Sequence, residues 1–273
     1  MKLLNLTFVL AYFLCITTLS AQDEKKKNYF IAADPVEEEN YTLIFDNAVN
    51  KMDYAKLNVK IENTSSDYLL VKREESSFVI DGNAYNPNKK WYFIYPGKTK
   101  GNTYKVEGAT NYLVEDYELN IDGIYLISSD GEVADAPNFK LPASKNEIKF
   151  DDFVVKLKGL KKKTDNTVAT FEVRYNGDAI GVVDPSALGV TIPDKGDDQF
   201  ANEVKGGKAK LLKKGDKCSI KAHFKIPAKY ADMQFANMEI LWRNTFQTAE
   251  PEKLEGASAD FELDAALTKE KNR

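Results

Sequence analysis

Leu57-Asn58-Val59-Lys60-Ile61 and Phe171-Glu172-Val173-Arg174-Tyr175 are the two stretches on which the fold turns. Each alternates apolar and polar side chains, and they stand 114 positions apart. Successive side chains of a strand point to opposite faces, so a period of two predicts one dry and one wet face, as in antiparallel sheet. Ala55, Leu57, Val59 and Ile61 share the dry face; Lys56, Asn58, Lys60 and Glu62 share the wet one. The run stops at Asn63-Thr64-Ser65-Ser66-Asp67, and its counterpart stops at Asn176-Gly177-Asp178, both rich in turn formers.

Working outward, the same spacing carries Gly101-Asn102-Thr103-Tyr104-Lys105-Val106 onto Gly215-Asp216-Lys217-Cys218-Ser219-Ile220. It also carries Tyr117–Ile121 onto Ala231–Phe235, and Leu126-Ile127 onto Ile240-Leu241. With shifted spacing, as loop insertions produce, Phe45-Asp46 matches Phe150-Asp151, and Asn138-Phe139-Lys140-Leu141 matches Asp260-Phe261-Glu262-Leu263. A period of this size, with six or seven short strands per repeat, predicts an all-β chain of two tandem Ig-like antiparallel β-sandwiches. The expected division is a signal peptide at 1–21, a mobile charged leader at 22–40, module 1 at 41–143, module 2 at 144–266 and a tail at 267–273. Leu141-Pro142-Ala143-Ser144 reads as the linker, and Asp260–Leu263 as the last strand of module 2. Neither module has the paired cysteines and central Trp of an antibody domain.

The pattern resembles the tandem Ig-like extracytoplasmic modules of secreted bacterial proteins of the Bacteroidota type. These follow an alternating strand with an Asn-rich turn, and later with a Gly-Asp/Asn-x-x-x-apolar strand. Leu57–Asn63 and Gly101–Val106 carry the resemblance, with Phe171–Gly177 and Gly215–Ile220 as counterparts. It implies binding or scaffolding and supplies no catalytic residues.

Lys2, the apolar run Leu3–Leu19 and Leu19-Ser20-Ala21 before the polar Gln22 read as a cleaved export signal. The -Leu-Ser-Ala-Gln- junction agrees with that resemblance. Cys15 lies inside the apolar run and follows Leu14, which is not the small residue that lipid attachment needs. The expected location is outside the cytoplasm, in the periplasm in preference to the outer membrane or medium. After cleavage Cys218 is the sole cysteine, so no intrachain disulfide forms. Losing Lys2 leaves 37 basic against 42 acidic residues, with no basic surplus for nucleic acid. No second apolar stretch is long enough to make a transmembrane segment.

No set of residues adds up to a catalytic, metal or cofactor site. Cys218 and His223, the only histidine, sit five apart on one predicted strand and therefore on opposite faces. Cys218 reads as a small buried hydrophobe, and His223 as solvated surface between Lys221 and Lys225. Asp46 with Glu62, or Asp151-Asp152 with Glu172, are the carboxylate pairs a glycosidase would need. Asp194-Lys195-Gly196-Asp197-Asp198 has a lysine inside it and lacks the closing Glu of a calcium loop. Lys161-Lys162-Lys163 and Lys213-Lys214 read as edge-strand lysines that discourage sheet-to-sheet pairing.

One feature breaks the repeat. Trp91-Tyr92-Phe93-Ile94-Tyr95-Pro96 stands opposite Lys205–Lys210, which has no aromatic residue. Either Tyr92 points out, or Trp91, Phe93 and Tyr95 do. Trp91, Tyr92 and Tyr95 are the expected contacts for a protein or glycan partner of the cell envelope. The sequence thus leads to a non-catalytic binding or scaffold protein. The alternatives are a carbohydrate-active enzyme using a carboxylate pair, and a purely structural part of an envelope assembly.

Overall fold

The computed structural model describes residues 26–109, 111–204 and 208–273. The expected export signal, Lys205 and Gly206-Gly207 lie outside the described residues. No described helix is long and apolar enough to cross a membrane. The chain is nearly all β, built from antiparallel sheets, and divides into two units. Unit 1 holds the chain up to Leu126 together with Glu252–Arg273; unit 2 is the continuous Ile127–Pro251.

Unit 1 begins with β1 (Asn28–Tyr29), β2 (Val36–Glu37), β3 (Tyr41–Asn50), β4 (Tyr54–Asn63), β5 (Tyr68–Lys72) and β6 (Ser77–Ile80). It continues with β7 (Asn83–Tyr85), β8 (Trp91–Ile94), β9 (Thr99–Glu107), β10 (Asp116–Ile121) and β11 (Ile124–Ile127). Unit 2 opens with β12 (Glu132–Val133), β13 (Phe139–Leu141), β14 (Glu147–Phe150), β15 (Phe153–Lys163), β16 (Asn166–Tyr175) and β17 (Ile180–Val183). It ends with β18 (Gly189–Thr191), β19 (Gln199–Ala201), β20 (Lys210–Leu212), β21 (Lys217–Lys225), β22 (Met238–Leu241) and β23 (Phe246–Ala249). The chain then returns to unit 1 for β24 (Glu252–Lys253), β25 (Ala257–Glu262) and helix α1 (Ala265–Lys271).

The two units have matching sheets. In unit 1 the orders are β1-β3-β4-β9, β24-β11-β5-β8 and β25-β10-β6-β7. In unit 2 they are β14-β15-β16-β21, β12-β23-β17-β20 and β13-β22-β18-β19. The dry faces behave as their alternation demands: Ala55, Leu57, Val59 and Ile61 are fully buried, as are Ala169, Phe171 and Val173. In each unit the long meander closes on the two shorter sheets over one apolar core. Rings join the layers. Phe45 of β3 meets Phe261 of β25 edge-on at 5.6 Å, and Phe171 of β16 meets Trp242, just after β22, at 5.2 Å. The turn after β4 forms because buried Asn63 donates to the carbonyls of Asp67 (2.7 Å) and Ile94 (3.1 Å) and accepts from the Ser65 amide.

Several expectations change. Spacing 114 correctly lays β4 on β16 and β9 on β21 as equivalent strands. Their pairing is two residues out of that register, since Leu57 stands opposite Tyr104 while Phe171 stands opposite Ile220 and not Cys218. Beyond these strands the match fails. Residues 231–235 are loop and turn, not strand, and the equivalents of β10 and β11 are β22 and β23. Leu126-Ile127 and Ile240-Leu241 therefore belong to non-equivalent strands, as do Phe45-Asp46 in β3 and Phe150-Asp151 at the β14–β15 turn. The modules are not simply tandem. Phe139–Leu141 is strand β13, paired with β22, so 141–144 is no linker. Asp260 and its neighbours pair along all of β10, so this last strand completes unit 1 and not module 2. The leader is ordered where described: β1 and β2 both pair with β3. Most of the expected tail lies in α1, which ends at Lys271 and whose N-cap Asp264 accepts from the Leu267 amide at 2.9 Å. Asn272 then ties α1 to Lys27 and Thr268 ties it to Tyr29, which gives the N-terminal segment a hydrogen-bonded seat.

Candidate functional site

The aromatic strand β8 pairs with β5, placing Trp91 opposite Lys72 and Tyr92 opposite Val71. Tyr92 and Ile94 point into the core, with Tyr92 only 6% exposed. Its hydroxyl lies 3.5 Å from that of Tyr104, and burial pushes its pKa up. Tyr92 is thus withdrawn as a contact residue: the core of unit 1 needs an inward ring there. Trp91, Phe93 and Tyr95 take the other face and are half-buried. On that side Leu70 and Ile127 are fully buried as well, so this face is covered beyond Trp91.

What remains accessible around Trp91 is a row across the sheet: Lys253 on β24, Tyr125 on β11, Lys72 on β5 and Trp91 on β8. Cations and rings alternate along it. The Lys72 ammonium sits 4.1 Å from the Tyr125 ring centroid and 4.8 Å from that of Trp91, where the Lys89 ammonium adds a further contact at 5.3 Å. Three carboxylates edge the row. Trp91 Nε1 donates to Glu74 Oε1, the Tyr125 hydroxyl donates to Glu75 Oε2 at 2.7 Å, and Lys253 Nζ meets Asp122 at 3.0 Å. Burial opposes charge on Glu74, but hydrogen bonds from its own amide, Trp91 and Lys90 outweigh it and hold the carboxyl below its usual range. Burial, and then the facing Glu75, push Tyr125 up to about 12. Gly123 aligns the row. Its φ of 73° and its approach to the Lys72 carbonyl leave no room for a Cβ, and Lys72 N donates to Gly123 O at 2.8 Å. Tyr95 meets Tyr68 edge-on at 5.5 Å.

The other candidates are dispersed. Cys218 faces inward, half-buried, and burial pushes its thiol up to about 11. That is the opposite of an activated nucleophile. His223 is on the wet face but is half-buried rather than freely solvated. Asn202 Oδ1 accepts from its amide at 2.9 Å, and its Nε2 has no hydrogen-bond partner. Asp46 is engaged by Lys60 (2.7 Å), Asn58 and Asn47, and the Lys60 hydrogen bond holds its carboxyl low. Glu62 lies four residues along β4 from Asn58, roughly 13 Å away. Asp151 Oδ2 accepts from the Asp135 amide, and Glu172 stands between Lys156 and Ser219. Asp194 accepts from Asn237 at 3.3 Å. Among the described residues no three His, Cys, Asp or Glu side chains gather as a metal-ligating group.

Two charged sheet faces were missed by reading along the chain. On unit 1, Asp116 stands opposite Glu262 and Glu118 opposite Asp260, along an open groove of about 820 Å³. On unit 2, lysines of β15 and β21 share the outer face of one sheet. The legible signal was Lys at alternate or every fourth position, as in Lys217, Lys221 and Lys225.

No family model matches the chain, and no curated protein matches it. Among solved structures it is similar to red sea bream transglutaminase at 10% identity and TM-score 0.20, over 70% of this chain and 27% of that one. It is also similar to the secreted serine protease VesC of Vibrio cholerae at 9% identity and TM-score 0.18, over 76% and 49% respectively. The chain therefore spans less than half the length of either protein.

Proposed function

We propose that this chain is an exported, non-catalytic binding or scaffold protein of the cell envelope, working in the periplasm. We place its contact surface in unit 1 at Trp91 and Tyr95. The observation that carries the reading is the Lys253–Tyr125–Lys72–Trp91 row. Each ring in it is covered by a lysine contact of about 0.5–1 kcal/mol. A sugar ring or a partner side chain can replace such a cover at low cost, whereas a fully packed ring would have to be torn from the core. The inward, unactivated Cys218 and the locally engaged carboxylates support a surface that holds a partner without transforming it.

The test is retention of the mature chain, residues 22–273, in a pull-down from solubilised envelope and from isolated cell-wall sacculi. A Trp91→Ala/Tyr95→Ala double variant should lose at least tenfold of the retained material while the melting transition of unit 1 stays cooperative. Retention equal to the unsubstituted chain would overturn the site.

A further inference from the structure

The meander sheets of the two units are built alike but charged differently. On the outer face of β3-β4-β9 the cations Lys56, Lys60 and Lys105 meet the acids Asp46, Glu62 and Glu107, and Lys60 pairs with Asp46 at 2.7 Å while Lys105 pairs with Glu107. The equivalent face of β14-β15-β16-β21 carries Lys149, Lys156, Lys161, Lys163, Arg174, Lys217, Lys221 and Lys225, with only Glu147 and Glu172 among them. Arg174 stands directly opposite Lys217, an arrangement that costs stability. All eight cationic side chains are exposed. The imbalance is local: unit 2 has 20 Lys and Arg against 18 Asp and Glu, and the rest of the chain has 18 against 24.

We propose that this face of unit 2 holds a linear acidic polysaccharide. The proposal rests on the binding reading above and names a ligand class and a second contact surface for it. A hollow of about 350 Å³ starts the track at one end, lined by Lys149, Lys156 and Arg174 together with Glu147 and Glu172, of which Glu147 pairs with Lys149 at 3.7 Å. From there Lys217, Lys221 and Lys225 follow β21 at intervals of roughly 13 Å, with Lys161 and Lys163 on the flanking β15. Cations spread over a flat sheet suit an extended chain of carboxylates or sulfates, since no compact anion reaches them all. Val154, Val168, Thr170, Ser219 and His223 fill the spaces between them. The half-buried His223 is the one ring among them, whereas single-stranded nucleic acid is held by a series of rings on which successive bases stack.

The experiment measures binding of the mature chain to immobilised polygalacturonate and dextran sulfate over a salt series. The unsubstituted chain should bind both and weaken steeply as salt rises from about 0.05 to 0.5 M, because exposed charges are screened. An Arg174→Gln/Lys217→Gln/Lys221→Gln/Lys225→Gln variant should bind at least tenfold more weakly. A control of equal charge change in unit 1, Lys51→Gln/Lys98→Gln/Lys269→Gln/Lys271→Gln, should stay within twofold. If the first variant misfolds, Lys156→Gln/Lys161→Gln/Lys163→Gln gives the same reading from the neighbouring strand. Equal losses in variant and control, no binding by the unsubstituted chain, or equal retention on single-stranded DNA or anionic vesicles would each overturn the proposal. So would salt-sensitive self-association, which assigns the face to the acidic groove of a second copy. If envelope retention survives one of these outcomes, only this face is lost; if it fails too, the binding reading falls with it.

Discussion

Units 1 and 2 repeat one strand order sheet for sheet, yet they are completed in opposite ways. In unit 2 the strands that close the two short sheets, β12 and β13, come early and lie within one continuous stretch. In unit 1 their equivalents, β24 and β25, arrive only after the whole of unit 2. The strand pair following β11 serves unit 2, and the pair following β23 serves unit 1. The chain has exchanged the closing strands of two like units. A continuous unit holds every strand it needs, whereas the discontinuous one depends on a distant segment for Phe261, which stacks on Tyr117 at 4.9 Å.

The strongest way to break this comparison is to end the chain at Pro251. Unit 1 should then lose its cooperative transition altogether, while unit 2 keeps its own in calorimetry and hydrogen exchange. Joining Leu126 directly to Glu252 should restore a folding unit 1. Two surviving transitions in the truncated chain would show that β25 is dispensable. Next in size are core deletions. Phe261→Ala should cost about 3–5 kcal/mol in unit 1 alone, and Phe139→Ala a similar amount in unit 2 alone, read as two separate denaturant midpoints.

High pH should separate the units by a smaller margin. Tyrosine ionises near 10 when unfolded, and burial holds Tyr41 at about 12 in the folded state, as it does Tyr175. A raised folded pKa gives stability that is complete below pH 10 and is lost as pH climbs through 12. Burial also raises Tyr92, Tyr104 and Tyr117, all in unit 1. Unit 1 should therefore melt first in thermal scans between pH 10 and 12, with tyrosinate absorbance rising in step. The smallest effects test the two meander faces. Lys60→Gln should destabilise unit 1 by at most about 1 kcal/mol. Arg174→Gln should be neutral, or stabilise unit 2 by about 0.2–1 kcal/mol, by relieving its opposition to Lys217.

Much of this fold was legible in its strands and little in their partnering. The matches of Leu57–Ile61 with Phe171–Tyr175, and of Phe139-Lys140-Leu141 with Phe261-Glu262-Leu263, were visible along the chain. That the second match marks exchanged strands was not visible, because both segments fit either unit equally well by pattern. The site was half legible. Trp91–Tyr95 stood out as an aromatic strand, but a run apolar at every position has no period from which to choose a face. Tyr92 turned inward because β5 and Tyr104 surround it there. Lys161-Lys162-Lys163 of β15 were read as edge protection and Lys221 and Lys225 of β21 only as neighbours of His223, since only pairing with β16 brings the two strands' lysines onto one surface.

By itself, then, the sequence determined which side of each alternating strand is dry, where strands end, and that one building plan occurs twice. These are local properties, set by the two-residue period of the backbone and by turn chemistry within a few positions. Tertiary structure alone decided which unit β25 completes, which aromatic rings stay accessible and which cations share a face. Each of those depends on which strands pair, as Lys72 with Trp91, Arg174 with Lys217 and Tyr117 with Phe261, and alternation within a strand carries no record of the strand beside it.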